Sequence, residues 1–213
     1  MKYYNIIEVA NTHGGNLEYL LSLIDEFSYI DAKENTGIKF QPFSPDGIAL
    51  SDFEFYEVYK KLHFTESQWK QVVDKASETK QVWLDVFDLY GVKVFQGNLN
   101  KIAGLKLQTS VLENREVLGA FEKLDLSKHK LIINIAGRQL NEIQNFVEYF
   151  DAKVKPAELL LEVGFQAYPT EFADSGLGKI KLIKNKFGNR IVFADHIDGT
   201  NPDAVLLPLM ALI

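Results

Sequence analysis

Short apolar runs alternate with polar turns and helical repeats along the chain. The runs are rich in Ile, Val, Leu and Phe, have the length of β-strands, and cover residues 4–9, 37–43, 82–87, 104–108, 130–136, 158–165 and 190–196. Between them, apolar residues recur at helical spacing in three sets: Leu17, Leu20, Leu21 and Ile24; Trp69, Val72, Val73 and Ala76; and Ile143, Phe146, Val147 and Phe150. Asn16 is a suitable N-cap for the first predicted helix, and Thr65 with Gln68 has the form of a capping box for the second. The pattern therefore predicts an α/β protein.

The predicted strands are apolar at nearly every position, whereas a strand with one solvated face alternates between apolar and polar residues. Continuous apolar strands are typical of parallel sheets that helices cover on both faces. Two architectures satisfy the strict alternation of strands and helices, a doubly wound open sheet and a (β/α) barrel. Residues 11–16 read N-T-H-G-G-N where a nucleotide-binding open sheet would carry G-x-G-x-x-G, and no Walker-type loop occurs. This difference favours the barrel.

The number of βα units indicates an incomplete barrel. A complete (β/α)8 TIM barrel has eight units in about 250 residues, whereas this sequence supplies about seven units in 213 residues. The last segment, residues 204–213, is apolar on almost every side and would expose a hydrophobic surface prone to association. We therefore expect one barrel domain over residues 1–213 that is truncated at its C-terminus or completed by a partner. The alternative is a complete seven-stranded or open sheet with a buried last helix.

Composition and charge exclude several classes of function. The chain is 46% hydrophobic and 24% charged, which is ordinary for a globular protein, and its net charge of -6 gives no basic field for nucleic acid or an anionic membrane surface. It has no cysteine and therefore no disulfide, thiolate metal site or cysteine nucleophile. Glu8 interrupts the first apolar stretch before a signal-peptide core forms, and no run approaches the roughly 20 apolar residues that span a bilayer. A cytoplasmic protein is expected.

Charged residues inside the apolar runs are the strongest chemical signal. Lys39 and Lys106 lie near the carboxyl ends of predicted strands, where barrel enzymes assemble their active sites. Because side chains alternate along a strand, Gln41 shares a face with Lys39, and Gln108 shares one with Lys106. Two ammonium groups that face one cavity attract an anion, so the pattern predicts a small phosphate or carboxylate substrate.

A purely structural interpretation of the same charges stays open at this point. Buried charges must be paired or must bind a ligand. Each of the two lysines could pair with Glu8, Asp85 or Asp195 and only hold the barrel together.

Five segments, taken in order, resemble the barrel domain of the N-acetylneuraminate (sialic acid) synthase family. They are I-I-E-V-A-N-T-H-G-G-N-L at residues 6–17, I-K-F-Q-P-F at 38–43, Y-E-V-Y-K-K-L-H-F-T-E-S-Q-W at 56–69, A-Y-P-T at 167–170 and A-D-H at 194–196. The resemblance implies a transferase of carbohydrate biosynthesis that forms a carbon–carbon bond. Its substrates are phosphoenolpyruvate and an N-acetylhexosamine aldehyde, its product is a nine-carbon α-keto acid, and its cofactor is a divalent metal, Mn²⁺ or Mg²⁺.

The family also implies a partner. Its members form homodimers in which a C-terminal antifreeze-like domain reaches over the partner's active site, and this sequence has neither that domain nor an eighth βα unit. The partners implied are therefore an anionic small molecule, an amino sugar and a second copy of the chain.

Matching positions carry the family's functional residues onto this sequence. The resemblance implies three catalytic residues, Glu8 beside the sugar and the reacting carbons, and Lys39 and Lys106, which hold phosphoenolpyruvate. It implies His196 as a metal ligand. It implies substrate-binding roles for His13, Gln41, Thr109, Asn134, Tyr168, Thr170 and Asp195.

Departures from the family pattern cluster at the phosphate-binding and metal-binding positions. Thr12 replaces an asparagine, Pro42 a threonine and Ala194 a serine, while Glu162 and Val163 stand in place of a His-Cys pair. One histidine and one aspartate form a weak metal site, so we expect feeble manganese binding by this chain alone. These losses favour a second function, a catalytically inactive synthase-like barrel that binds ligands or acts as a scaffold in glycan biosynthesis. A third alternative, a sugar-phosphate isomerase or aldolase, predicts a Schiff-base lysine.

Overall fold

The computed structural model describes residues 3–165 and 167–212. Its strands appear where all seven apolar runs predict them. They are β1 (Asn5–Ala10), β2 (Thr36–Phe40), β3 (Gln81–Val86), β4 (Ile102–Leu107), β5 (Lys130–Asn134), β6 (Glu158–Val163) and β7 (Arg190–Phe193). Helical segments separate consecutive strands, so the predicted α/β class is confirmed.

The described helices include the three that the apolar spacing predicts. They are α1 (Leu17–Phe27), α2 (Pro45–Ile48), α3 (Tyr56–Leu62), α4 (Glu66–Thr79), α5 (Leu89–Gln96), α6 (Arg115–Phe121), α7 (Leu140–Tyr149), α8 (Leu177–Phe187) and α9 (Leu206–Ala211). Asn16 caps α1 by accepting a hydrogen bond from the Tyr19 backbone N–H, and Thr65 forms the predicted capping box with Gln68 at the start of α4. Both predicted helix starts are therefore confirmed.

The chain divides into two compact units. The first contains the described residues up to Lys106 together with Glu113–Leu124, and the second contains Leu107–Leu112 together with the described residues from Asp125 onwards. Within each unit the sheet order follows the chain order. β1 pairs with β2 and β2 with β3 in parallel, and β5 pairs with β6 and β6 with β7 in parallel. Parallel pairing agrees with the continuous apolar pattern of the strands.

Several strands end earlier than their apolar runs predict. β2 stops at Phe40, so Gln41 lies in the following loop, and β4 stops at Leu107, just before Gln108. Pro42 has no backbone N–H to donate to a neighbouring strand, which accounts for the early end of β2. Asp195 and His196 likewise follow β7, which ends at Phe193. The predicted glutamine positions are therefore in loops at the strand ends.

A tryptophan fills the interior of the first unit between two glycines. Trp83 on β3 is buried, and a Cβ atom added to Gly37 on β2 would lie 2.6 Å from its ring. An added Cβ on Gly104 of β4 would overlap the same ring. The indole N–H donates to the Tyr4 hydroxyl at 2.8 Å, which in turn donates to Gln81 at 2.9 Å. These three strands therefore close around one large side chain.

The second unit ends in an apolar helix that is largely exposed. Leu207 of α9 is buried, whereas Leu206, Leu209 and Met210 are exposed. The alternative architecture predicts a buried last helix, and this part of it is wrong because α9 is largely exposed. Among residues 3–165 and 167–212, the structure has no helix with the length and apolar character needed to cross a membrane.

Candidate functional site

Two buried lysines share one buried aspartate in the first unit. The Asp85 Oδ2 atom lies 3.8 Å from the Nζ atom of Lys39 and 3.7 Å from the Nζ atom of Lys106. The side chain of Asp85 is fully inaccessible, and those of Lys39 and Lys106 are 6% and 5% exposed. We call these three residues the lysine centre. Since side chains alternate along a strand, Asp85 shares a face of β3 with Trp83, so the centre lies one layer above the tryptophan.

Glu8 adds a second carboxylate to the lysine centre from β1. Its Oε2 atom lies 2.5 Å from the Lys39 Nζ atom, and its side chain is 41% exposed. A register shift between Glu8 and Ala10 interrupts the pairing of β1 with β2, and Ala10 adopts a left-handed conformation with φ 48°. The Ala10 backbone N–H donates to Glu8 Oε1 at 3.2 Å. Glu8 is therefore held at an irregular strand end, a common place for functional side chains.

The two lysines are paired with carboxylates as the structural interpretation of the sequence predicts. Lys39 pairs with Glu8 and Asp85, and Lys106 pairs with Asp85. A buried ion pair is weak support for stability because desolvation offsets much of its Coulomb energy. Stability alone therefore does not explain why four strands carry charged side chains here, and the catalytic role of Glu8, Lys39 and Lys106 stays a prediction.

Gln41 follows Lys39 by two residues and lies in the loop after β2. Its Oε1 atom accepts a hydrogen bond from the Asn11 side-chain amide at 3.2 Å. The Asn11 Oδ1 atom is buried, and no hydrogen-bond partner for it lies within the described part of the chain. Two amides therefore meet at the ends of β1 and β2, where they could bind the hydroxyl groups of a ligand.

His13 is packed among aromatic rings. It is 2% exposed, its ring centroid lies 4.5 Å from that of Phe64, and its edge faces Trp69. Its Nδ1 atom accepts the Gly15 backbone N–H at 3.0 Å, so the Nε2 atom carries the proton of the neutral ring. Burial lowers the pKa of His13 from its ordinary value of 6.5. This placement favours a role in packing the turn, and the predicted substrate contact stays untested.

The lowered pKa of His13 predicts a loss of stability at acid pH. Below pH 6.5 the unfolded chain binds a proton at His13 that the folded chain does not, so the free energy of unfolding falls as the pH decreases. Protonation at Nδ1 would also break the bond from Gly15. Urea unfolding measured between pH 5 and 8, about the range in which histidines titrate, should show a smaller decrease for His13→Asn than for the natural chain. Equal pH dependence in both proteins would contradict this assignment.

In the second unit, a polar network connects the ends of three strands. The Asn134 side-chain amide donates to Glu162 Oε1 at 2.7 Å and to Gln108 Oε1 at 3.4 Å. The Asn134 Oδ1 atom accepts the Ala136 backbone N–H at 2.9 Å. Asn134 and Glu162 are both buried. The predicted substrate-binding Asn134 therefore holds a buried glutamate in place.

Thr109 belongs to an adjacent group in the second unit. Its hydroxyl donates to the Ala136 carbonyl at 3.2 Å and accepts the Arg138 Nε–H at 3.0 Å. The Thr109 carbonyl accepts a second guanidinium N–H at 2.9 Å. Arg138 also pairs with Glu142 at 3.3 Å and lines a cavity of about 210 Å³ between α7 and α8. Thr109 therefore orients the Arg138 guanidinium.

The remaining predicted residues lie in the loops that follow β6 and β7. Tyr168 is exposed and faces the edge of the His196 ring, with 6.0 Å between the centroids. Thr170 is buried, and its backbone N–H donates to the His196 carbonyl at 2.7 Å. The Asp195 carboxylate accepts the Ile197 backbone N–H at 3.1 Å. These loops bring together the four residues implied near the sugar and metal.

The donor set around His196 does not fit a held metal ion. One nitrogen of its ring, Nδ1, is 2.7 Å from the Phe165 carbonyl oxygen, which leaves Nε2 as the ligand atom. Within residues 3–165 and 167–212, no group of three or more His, Cys, Asp or Glu side chains could hold a metal. A catalytic metal normally has about three protein ligands. The metal-binding role of His196 therefore stays a prediction.

Asp85 and Arg138 are the residues that sequence reasoning undervalued. Asp85 appeared there only as one possible counter-ion, although a charged residue within V-W-L-D-V is the same signal that selected the lysines. Arg138 follows Gly137, which has a left-handed φ of 74°, and no strand pattern marks it. The first could have been found from the charge pattern, whereas the second depends on the loop conformation.

The fold and the site together define an α/β protein with polar groups gathered at the carboxyl ends of parallel strands. A family model described as the NeuB family matches residues 31–209 of the chain. Because this match covers well over half of the sequence, the chain belongs to the NeuB family, and the predicted relationship to the sialic acid synthases is confirmed.

Three known proteins are similar to this chain. The uncharacterized protein MJ1065 of Methanocaldococcus jannaschii is 23% identical over 208 residues. The match covers 97% of this chain and 58% of the length of that relative. An N-acetylneuraminic acid synthetase of Leptospira borgpetersenii, solved with citrate, has a TM-score of 0.84 at 22% identity, covering 100% of this chain and 70% of that one. A putative spore coat polysaccharide biosynthesis protein E of Chromobacterium violaceum has a TM-score of 0.84 at 20% identity, and the match covers 99% of this chain and 63% of that one. The solved structures establish a shared fold.

Proposed function

We propose that the protein condenses phosphoenolpyruvate with an N-acetylhexosamine aldehyde to give a nine-carbon α-keto acid. The lysine centre, with Glu8 beside it, is the observation that supports this proposal most strongly. Membership of the NeuB family and the fold shared with a sialic acid synthetase agree with it. The proposal includes the anionic substrate, the amino sugar and the homodimer, and a cytoplasmic location.

The side chains of the first unit can perform the steps of this condensation. Lys39 and Lys106 bind the anionic groups of phosphoenolpyruvate, while Gln41 and Asn11 lie where they can bind sugar hydroxyls. The enol carbon attacks the aldehyde carbon, and the C=O π electrons form an alkoxide that takes up a proton. Water adds to the resulting cationic carbon and loses a proton. Phosphate then leaves with the electrons of its C–O bond while the new hydroxyl loses its proton to form the ketone. Glu8, the most exposed of the charged groups, is available to orient the sugar or to move a proton.

A divalent metal has no step in this account because the described donors do not fit one. When bound in a related enzyme, such a cation would polarise the aldehyde oxygen. In this chain, Asp195 and His196 are the side chains offered to it, and the former already accepts a backbone hydrogen bond. Any affinity for Mn²⁺ or Mg²⁺ therefore depends on additional ligands.

A second function, an inactive ligand-binding or scaffolding module, is favoured by one observation. Two carboxylates already neutralise the two lysines, so an incoming anion must compete with Glu8 or Asp85. Binding without turnover is the result that this alternative predicts.

Phosphate release tests the proposed condensation directly. The full-length protein is incubated with phosphoenolpyruvate, Mn²⁺ and either N-acetylmannosamine or another N-acetylhexosamine, and inorganic phosphate and a nine-carbon keto acid are measured. We expect sugar-dependent release, reduced by about 100-fold or more in Lys39→Met because one ammonium that binds the substrate is lost. A protein that binds phosphoenolpyruvate but releases no phosphate with any sugar supports the inactive module instead. Borohydride trapping of a lysine adduct would favour the aldolase alternative.

A further inference from the structure

The cavity between α7 and α8 is built from residues of the second unit, whereas the lysine centre belongs to the first. Its volume is about 210 Å³, and residues at the ends of β5 and β6 line its inner side. Apolar cavities of about 150 Å³ bind benzene in other proteins. The cavity therefore has room for a six-membered ring and one small polar group.

Apolar side chains form most of the cavity wall. Ile143 of α7, Ile183 of α8 and Val163 of β6 line the cavity and are buried. Leu182 also lines it and is 52% exposed, so the wall reaches the solvent beside this side chain. The hydrophobic effect favours burial of an apolar ligand body against such a wall.

Lys179 places a positive charge on the same wall. Lys179, Leu182 and Ile183 are spaced by three and four residues, so they share one face of α8. In the described part of the chain, the Lys179 ammonium forms no ion pair, and no acidic side chain lines the cavity. An ammonium donates hydrogen bonds and cannot accept them. It therefore suits a ligand group that accepts, and a carboxylate does so with the added attraction of opposite charge.

Two further features favour an anionic group in the cavity. Arg138 lines it, although Thr109 and Glu142 already bind its guanidinium. Among the described residues, no side chain caps the start of α8, and the first turn of a helix carries a partial positive charge. A ligand needs no bond to Arg138, because the Lys179 ammonium is the available donor.

We infer that the cavity between α7 and α8 binds a small carboxylic acid with an apolar body of about six carbon atoms. The apolar body lies against Ile143, Val163 and Ile183, and the carboxylate accepts a hydrogen bond from the Lys179 ammonium. This site goes beyond the proposed condensation, since its residues lie outside the lysine centre and phosphoenolpyruvate has no apolar body of this size.

Three probes test the site by NMR of the methyl-labelled full-length protein. Benzoate has the apolar ring and the carboxylate, benzyl alcohol keeps the ring without the charge, and acetate keeps the carboxylate without the ring. Benzoate should shift the methyl resonances of Ile143 and Ile183. It should also bind about 10-fold or more tightly than either of the other probes, because only benzoate uses both the apolar wall and the ammonium.

Lys179→Met and Lys181→Met are a matched pair of variants. Each removes one exposed lysine charge from α8, but Lys181 does not line the cavity. Lys179→Met should weaken benzoate binding about 10-fold and leave benzyl alcohol binding unchanged, because only benzoate has a carboxylate that loses its partner. Lys181→Met should leave both affinities unchanged, since solvent screens its charge. Both variants should fold because both side chains are exposed.

Four outcomes would overturn the inference. They are no binding of benzoate, binding that leaves the methyl resonances of Ile143 and Ile183 in place, binding of acetate or benzyl alcohol as tight as that of benzoate, and a loss of benzoate affinity that is no greater in Lys179→Met than in Lys181→Met. A protein that binds benzoate in this way but releases no phosphate from phosphoenolpyruvate upholds the site and removes only the condensation.

Discussion

Replacement of Trp83 by alanine is expected to lower the free energy of unfolding by about 3–5 kcal/mol, the usual cost of removing a large buried aromatic side chain. The indole ring fills the space that Gly37 and Gly104 leave on the two neighbouring strands, so alanine would create a cavity across three strands. The hydrogen bond to Tyr4 would be lost as well. Since the lysine centre lies one layer above, its side chains would lose their support.

Chemical denaturation followed by circular dichroism measures this effect. Trp83→Phe is the matched control, because it keeps an aromatic ring between the glycines and should cost clearly less than alanine. Gly104→Val tests the same space from the opposite side and should be strongly destabilising, because its Cβ would overlap the indole ring. A loss below about 1 kcal/mol in Trp83→Ala would contradict the packing described for the first unit.

Local pattern was sufficient to predict the elements but not the layers inside the sheet. The seven strands follow from continuous apolar runs, and helices α1, α4 and α7 follow from the helical repeat of 3.6 residues; both signals are visible within about ten residues of sequence. The layer of Gly37, Trp83 and Gly104 depends on the register between strands, which joins residues far apart in the chain. A glycine within a strand indicates a close approach without identifying the approaching side chain.

The candidate site could likewise be predicted only where its features are visible in the local sequence. Of the three counter-ions that the charge pattern left open for Lys39, Glu8 lies directly opposite it, because β1 and β2 pair in parallel with these residues in register. The predicted position of Gln41 on a strand was wrong, since Pro42 ends the pairing. His13 was selected by resemblance to a motif, and only the structure shows its packing against Phe64. Burial of a histidine depends on contacts that no local pattern contains.

The triple substitution Lys39→Met, Asp85→Leu and Lys106→Met is expected to preserve the fold and abolish function. Apolar side chains of similar volume often replace buried ion pairs without loss, and can raise stability by about 1–4 kcal/mol, because no charge then has to be desolvated. Glu8 is exposed enough to remain hydrated without Lys39. The triple variant should therefore unfold at a temperature no lower than that of the natural protein, yet bind no phosphoenolpyruvate.

Asp85→Leu alone is the comparison that gives the triple variant its meaning. It removes the carboxylate that two buried ammonium groups share and should cost about 3–5 kcal/mol, the usual penalty for breaking a buried ion pair from one side. Thermal unfolding and calorimetric binding of the single and triple variants separate the two interpretations of the lysines. A triple variant as unstable as Asp85→Leu would mean that the charges hold the fold together. A stable variant without ligand binding means that the protein retains three buried charges, at a cost in desolvation, because its ligand requires them.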